Sequence, residues 1–447
     1  MTIQADIPTV AIYNNLETFS RFLQRSSNHT ALDERMYRGD RAVFWLGPNK
    51  LVIVTKAIHH AKYICDRWGY YGTSVFAPRQ STHQLCLDIL RDPDLIQKIV
   101  AYAGPQKSLQ LIPYASTSEF YTLARYLQLE FGLNVILAES PAESNLWIRD
   151  YIDTKAGFRS LISEWITEEN VILPGFVCDD TAQAARAVRW FNQRQLGVVA
   201  KANNGESGIG HLVFPGPDEL SLRETLSRLE ADPFLRDGLI IVDQLIESKA
   251  QLSPSLELFV PANNQPPVIT YLSRQLFSEF GHFSGVLISR ESAETEWYPR
   301  LAKYGLQIAG KLQAMGYVGH FDIDTVVDDN GQLYLLEINA RRTGGTYVHE
   351  FATLTLGKDY INKVSLLCNN RVKCDGINQI EDLLEILGHL LFPIEAQNRG
   401  IVITVTSSLQ MEEFGCILVA QNEQDLLMLH REMFAHLESV YAHRKPD

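Results

Sequence analysis

The sequence predicts an α/β protein of two or three lobes, in which a leading parallel-sheet lobe precedes catalytic lobes of α+β character. Three observations carry this. At 447 residues the chain exceeds what one hydrophobic core usually serves. Its first third alternates short apolar runs with helix-periodic ones, the pattern of a parallel sheet covered on both faces. Its middle third instead holds a strand that runs into a glycine-rich segment, then two strands joined by an Asp-Asp-Asn-Gly turn. Hydrophobic residues at 46% and charged residues at 21% are ordinary for a globular protein, with no sign of disorder.

In order along the chain, residues 9–13, 42–46 and 51–55 read as short strands, the last rich in β-branched residues and bounded by Gly47-Pro48-Asn49. Residues 95–102 repeat apolar side chains at helical spacing, with Asp94 as the candidate N-cap. Residues 109–114 form a further strand. Ser116 can then cap a helix reaching Leu129, with Glu119 completing a capping box. The lobe is expected to end at residue 144. Strands follow at 196–201, 239–243 and 256–260, an amphipathic helix at 297–315, and the strand pair at 317–339. The last stretch holds a helix, strands at 400–406 and 416–419, and a closing helix. The expected division is 1–144, 145–371 and 372–447.

A formal net charge of −13 argues against nonspecific binding to nucleic acid or an anionic membrane, since a polyanion would be repelled at long range. The cysteines, at 65, 86, 178, 368, 374 and 416, are scattered and read as buried free thiols of a reducing cytoplasm. The N-terminus lacks the layout of a signal peptide, and no apolar run approaches the ~20 residues needed to span a bilayer. A soluble, cytoplasmic protein is expected, with a homodimer compatible.

Two segments carry chemistry. Asp324 lies on the first strand of the 317–339 pair; Glu337 and Asn339 lie two apart on the second, so both face the same way. An antiparallel return brings Asp324 opposite them. Two carboxylates and an amide oxygen on one sheet face suit Mg²⁺, a hard cation that takes oxygen ligands and keeps places for water and phosphate. The alternative for this pattern is a half-exposed hairpin with a polar outer face. The second segment follows a strand ending in Lys201: Asn203, Asn204, Gly205, Ser207, Gly208 and Gly210. Glycines there let backbone N–H groups approach a phosphate closely. It is not a Walker A loop, since no Gly-Lys-Ser/Thr follows.

The run GYVGHFDIDTVVDDNGQLYLLEINARRTGGT, residues 316–346, resembles the metal-binding hairpin of ATP-grasp enzymes in its thirteen-residue step from Asp324 to Glu337 and its Glu-x-Asn ending. The order Lys155, Lys201 with its glycine loop, a strand at 240–246 and then the acid pair matches as well. The resemblance implies an ATP-grasp fold behind a pre-ATP-grasp lobe. Lys155 and Lys201 would grip the phosphates of ATP and the glycine loop would cover them. The stretch Asp243, Gln244, Leu245, Ile246 would meet the adenine edge, with Asp243 standing where many relatives carry Glu. Glu257 or Glu247 would hold the ribose, and Asp324, Glu337 and Asn339 would hold Mg²⁺, with Mn²⁺ an acceptable substitute. More narrowly, Asp153-Thr154-Lys155-Ala156-Gly157-Phe158-Arg159 is similar to the start of that region in pheganomycin-type peptide ligases.

The activity so implied is an ADP-forming carboxylate–amine ligation through an acyl phosphate, on an amino acid, peptide or related natural-product substrate. Arg341, two residues past Asn339, resembles the arginine that holds the acyl phosphate, with Arg342 as its neighbour. His320 is a candidate proton acceptor or substrate contact, and Arg290, with Arg274, a candidate for phosphate or carboxylate binding. Asp322 departs from relatives that carry an arginine there. An ATP-grasp kinase acting on a hydroxyl, and a nucleotide-binding module without turnover, are the alternatives.

Overall fold

A computed structural model describes residues 7–23, 36–205, 208–216, 220–246, 248, 252–277 and 283–444. The leading lobe runs β1 (Thr9–Ile12), α1 (Asn15–Leu23), β2 (Lys50–Ile53), α2 (Ala61–Arg67), β3 (Ser74–Phe76), α3 (Leu85–Leu90), α4 (Pro93–Tyr102), β4 (Ser108–Pro113), α5 (Ser118–Phe131) and β5 (Asn134–Ile136). Its five strands are parallel in the order β3-β2-β1-β4-β5. The order reverses at β1, so the loops leaving β1 and β4 part and open a crevice at the strands' carboxyl ends. Tyr13 and Tyr114 sit on those two loops, and Asn15 opens α1 just beyond the first.

Local chemistry moves some expected boundaries. Helix α4 is capped by Asp92, whose side chain accepts from Leu95 N, because Pro93 takes the first helical position and leaves Asp94 inside the first turn. Thr117, not Ser116, caps α5 by accepting from Phe120 N. The run at 42–46 is not a strand: Gly39–Phe44 forms a 3-10 turn, buried throughout. A short apolar run buried on all sides carries no periodicity to tell strand from turn. Here Phe44 packs edge-on against Tyr70 and Phe351, and Gly39 sits where a Cβ would lie 2.7 Å from Val54.

The chain continues with α6 (Leu146–Ile152), α7 (Lys155–Trp165), β6 (Gly175–Cys178), α8 (Thr181–Asn192), β7 (Val198–Ala202), β8 (His211–Phe214), α9 (Leu222–Ala231) and β9 (Ile240–Gln244). These strands make an antiparallel sheet in the order β6-β9-β7-β8. The remainder is β10 (Pro254–Val260), β11 (Val268–Phe277), β12 (Phe283–Ile288), α10 (Arg290–Ala293), α11 (Tyr298–Met315), β13 (Gly319–Val327), β14 (Leu333–Asn339), α12 (Thr346–Thr355), β15 (Ser365–Lys373), α13 (Ile380–Leu387), β16 (Gly400–Val405), β17 (Glu413–Ala420) and α14 (Glu423–Arg444). Eight strands form one antiparallel sheet, β14-β13-β10-β11-β12-β15-β17-β16. Residues 372–447 therefore do not build a sheet of their own: β15 crosses residue 371, and β16 and β17 continue the large sheet from it.

One face of that sheet is apolar. Leu256, Leu258, Phe321 and Ile323 pack with Leu301, Tyr304, Ile308 and Leu312 of α11, each such burial worth roughly 1.5–3 kcal/mol. Gly305 permits the approach, since a Cβ there would lie 2.7 Å from Leu256. By the two-residue period the other face carries His320, Asp322 and Asp324. Among the described residues no helix is long and apolar enough to cross a membrane.

Candidate active site

The turn at Asp328 sets the register of β13 against β14, and with it the acids. Asp322 stands opposite Asn339, and Asp324 opposite Glu337. The amide nitrogen of Asn339 donates to Asp322 Oδ1 (2.8 Å) and Asp324 Oδ2 (3.0 Å), leaving its oxygen available as a ligand. Gln275 Nε2 donates to the other oxygen of Asp324 (2.9 Å). Burial, then the charge of Glu337, pushes Asp324 up to about 7. Burial and Asp324 push Asp322 well above the usual carboxylate range. Burial works against ionisation of Glu337 too, but Lys155 foremost, with His211 and Lys201, overrides it and holds the group at about 2.

Buried acids that resist ionising beside one another are a site short of positive charge. Hard oxygen donors with that deficit fit Mg²⁺. Among the described residues no three His, Cys, Asp or Glu side chains converge as a metal cage by themselves. A cation here would draw on two carboxylates, the Asn339 oxygen, water and phosphate oxygens.

The cations come from α7 and β7. Thr154 caps α7 by accepting from Gly157 N (3.0 Å). That start delivers Lys155 Nζ to 2.8 Å from Glu337 Oε2. Asn203, at the mouth of the glycine loop, accepts from Lys155 N and Ala156 N and ties the loop to the helix. Lys201 Nζ lies 2.9 Å from Asp243, and Arg159 lies 2.7 Å from the other oxygen of the same carboxylate. Arg341 is held 2.7 Å from Asp153, which also accepts from Ala340 N, and lies over the ring of Phe19 of the leading lobe. Desolvation largely offsets the attraction within such buried pairs, so their main effect is to fix position.

Several candidates stand elsewhere. Asp243 spends both carboxylate oxygens on Lys201 and Arg159 and does not line the cavity, so it is not poised to accept from an adenine amino group. Gln244, Leu245 and Ile246 do line it. Glu257 is fully buried, with Tyr271, Thr343 and Thr346 donating to it and His320 Nδ1 at 3.0 Å; it is a structural hub and no ribose ligand. His320 is correspondingly sequestered between Glu257 and Glu139, away from the cavity wall. Arg290 is exposed and paired with Glu294, off the cavity altogether, because α10 turns it outward. Arg342 is buried between Glu139 and Glu350.

In the glycine loop, Gly208 lines the cavity at φ +80°, a left-handed conformation that favours glycine. Gly205 and Gly210 lie under Phe22 of α1, where a Cβ would come within 3.3 and 3.1 Å of its ring. Asn204 is exposed. Ser207 and Glu247 lie outside the described residues.

The cavity holds about 330 Å³ and crosses the polar face of the large sheet. At one end, Leu173, Val199, Leu245, Val326 and Leu336 make an apolar slot together with Lys201, of the character a purine base needs. The acids and Arg341 follow. Beyond them the wall passes to Tyr13, Arg41 and Tyr114 of the leading lobe, then to Asn370 and Arg371 of β15. Sequence reasoning missed Asp153, Arg159, Arg41 and Asn370. The segment 153–159 was singled out, but an ion pair made with β9 or with residue 341 leaves no local pattern to read.

No known family's sequence profile matches the chain. Among curated proteins it is 26% identical over 235 residues to a [butirosin acyl-carrier protein]–L-glutamate ligase of Niallia circulans; the match spans 51% of this chain and about half, 53%, of that relative's length. Among solved structures it resembles a biotin carboxylase from Campylobacter jejuni, with a TM-score of 0.59 and 12% identity over 95% of this chain and 90% of that one. It also resembles an N5-carboxyaminoimidazole synthetase from Staphylococcus aureus, with a TM-score of 0.54 and 13% identity over 97% and 98%. These likenesses show the fold: the chain has the ATP-grasp fold, as the resemblance of residues 316–346 implied.

Proposed function

We propose that the protein is an ATP- and Mg²⁺-dependent ligase that activates a carboxylate as an acyl phosphate and joins it to an amine. The observation that supports it best is the cluster of Asp324, Glu337 and Arg341 on a cavity whose wall continues past them to the leading lobe and β15, with Lys155 buried behind the wall and paired to Glu337. In this reading residues 145–371 carry the nucleotide and the chemistry, residues 1–144 close the substrate end, and residues 372–447 brace that end from behind, where Thr406 and Ser407 hold Asp40. The curated relative's name describes a ligase of L-glutamate and an acyl-carrier protein. We take from it the class of amino-acid substrates in natural-product assembly.

The chain's own part is positioning. Lys155 and Lys201 would neutralise phosphate oxygens, and Gly208 would offer its backbone N–H to them. Asp324, Glu337 and Asn339 would hold Mg²⁺, which when bound supplies charge neutralisation between phosphate groups. Arg341, fixed by Asp153, would grip the acyl phosphate with its planar fork. Gly344 and Gly345 line the cavity beside it, packed so closely on Phe283 and Tyr271 that a Cβ on either would collide with those rings.

The test is product chemistry. With Mg²⁺-ATP, an acid pool and hydroxylamine, the protein should release ADP and form a hydroxamate; with a natural amine it should form the amide. ADP accompanied by a stable phosphorylated alcohol would replace this reading with that of a kinase.

A further inference from the structure

Past the acids the cavity ends in buried side chains with N–H groups left over, even though Arg41 shares a hydrogen bond with the Tyr13 hydroxyl. Arg41 is buried and lines the cavity, and its Nε and Nη2 have no hydrogen-bond partner. The ionisable groups that act most on it are Tyr13, Tyr347, Cys368 and Tyr114, none of them a carboxylate. Its guanidinium lies 5.8 Å from the centroid of Tyr347. The hydroxyl of that tyrosine donates to Asn370 Oδ1 (3.1 Å), and Cys368 Sγ donates to the same oxygen (3.3 Å). Two donors on the oxygen fix the amide's orientation, so Nδ2 is the free end. That nitrogen is also buried, unpartnered and on the cavity's residues. A Cβ on Gly344 would lie 3.7 Å from it, which puts it three residues along from Arg341.

The arrangement is held from outside. Asp40, the preceding residue, is fully buried and accepts from Thr406 N (2.8 Å), Thr406 Oγ1 (2.9 Å) and Ser407 N (3.2 Å), which pins the 3-10 turn to the end of β16. A buried guanidinium without a counter-charge, and a buried N–H without an acceptor on the other side of Tyr347, oppose folding unless something completes them. Arg38 and Arg371 also line this end. Among the described lining residues the only carboxylates are Asp322, Asp324 and Glu337, on β13 and β14.

We infer that Arg41 and Asn370 form the receptor for a carboxylate of the amine-bearing substrate, which is therefore an amino acid or peptide bound by its free carboxylate. This rests on the ligase reading for the role of the amine. The carboxylate to be activated has to reach the γ-phosphate at the β13–β14 end beside Arg341. A second anion held at the β15 end belongs to the other reactant, and the Gly344–Gly345 segment lies between.

The experiment is thermal melting of the full-length protein with Mg²⁺ and a non-hydrolysable ATP analogue, against the common L-amino acids and a set of dipeptides, each compared with its C-terminal amide. At least one free acid should raise the melting temperature, and its amide should bind roughly 10–100-fold more weakly, the weight of a lost charged hydrogen bond. Arg41→Gln should lose that response and keep the rise with nucleotide. Asn370→Asp supplies a carboxylate in place, so it should melt higher without ligand and no longer respond; it serves if the arginine variant fails to fold. Equal responses to acid and amide, a wild-type response in Arg41→Gln, or no response of the wild type to any compound would overturn the inference. Binding is read apart from turnover, so a failed ligase reading shows separately, as no ADP from any acid–amine pair while the carboxylate response stands.

Discussion

Glu337 carries two tasks at once: it pairs with Lys155 and faces Asp324 across the hairpin. Glu337→Gln keeps the shape and removes the charge. Turnover should fall by at least ~10²-fold, comparable to losing one preorganised charge contact, while melting without nucleotide changes little; near-wild-type turnover would move the chemistry elsewhere. Asp324 yields a pH prediction. It titrates at about 7 in the fold and at ~4 in an unfolded chain. Between those values the folded protein keeps a proton that the unfolded chain has lost. Asp324's contribution to the stability of the metal-free protein should therefore be full below that window and decline as pH rises through it. Asp324→Asn removes this titration and should flatten the decline, measured by urea denaturation in chelator; an unchanged slope would place the burden on other groups. These acids were legible because a period-two strand interrupted by two polar residues, behind an Asp-Asn-Gly turn, admits one register. Glu257 and His320 obeyed the same period and still proved structural, since the sequence does not reveal that Tyr271, Thr343 and Thr346 close over Glu257.

At the scale of elements, the start of α7 does more than any other segment. Within seven residues it supplies Asp153 to Arg341, Thr154 as the cap, Lys155 to Glu337 and Arg159 to Asp243. Gly157 makes the turn possible, since a Cβ there would lie 2.1 Å from Tyr151 O and 2.8 Å from Thr154 Oγ1. The first of these is backbone and cannot swing aside. Gly157→Ala should cost ~1–3 kcal/mol of stability, the usual price of overpacking, and should weaken nucleotide binding further, because α7 must shift and carry Lys155 with it. Denaturation and nucleotide titration measure the two losses; an alanine variant as stable as wild type would show that the helix start is not constrained. The run at 42–46 shows the opposite limit. Its hydrophobicity announced burial but not conformation, and the 3-10 turn it belongs to is what presents Arg41. That turn is set by Asp40 reaching Thr406, a contact across 366 residues of sequence that no local pattern encodes.

Over the whole molecule, the cavity exists only because the lobes meet. Phe22 of α1 packs 4.7 Å from Phe234 and roofs the glycine loop, so the leading lobe covers the nucleotide-side sheet. The alternation that announced a leading parallel sheet was legible; this closure was not, because it depends on side chains drawn both from that sheet's loops and from the later strands. Arg342 is the clearest fastening. It is buried, bonds Glu139 of the segment after β5 at 2.7 Å and Glu350 of α12 at 3.0 Å, and donates its own N–H to Tyr114 O. Removing it strands two buried carboxylates, so Arg342→Met should cost ~3–5 kcal/mol in chemical denaturation. If the cost is stranded charge and not lost packing, replacing both acids by glutamine in the Arg342→Met background should recover much of it, whereas the same two changes in the wild-type background should destabilise. A triple variant no more stable than Arg342→Met alone would show that the arginine's bulk against Trp45, 4.7 Å from its guanidinium, joins the lobes instead.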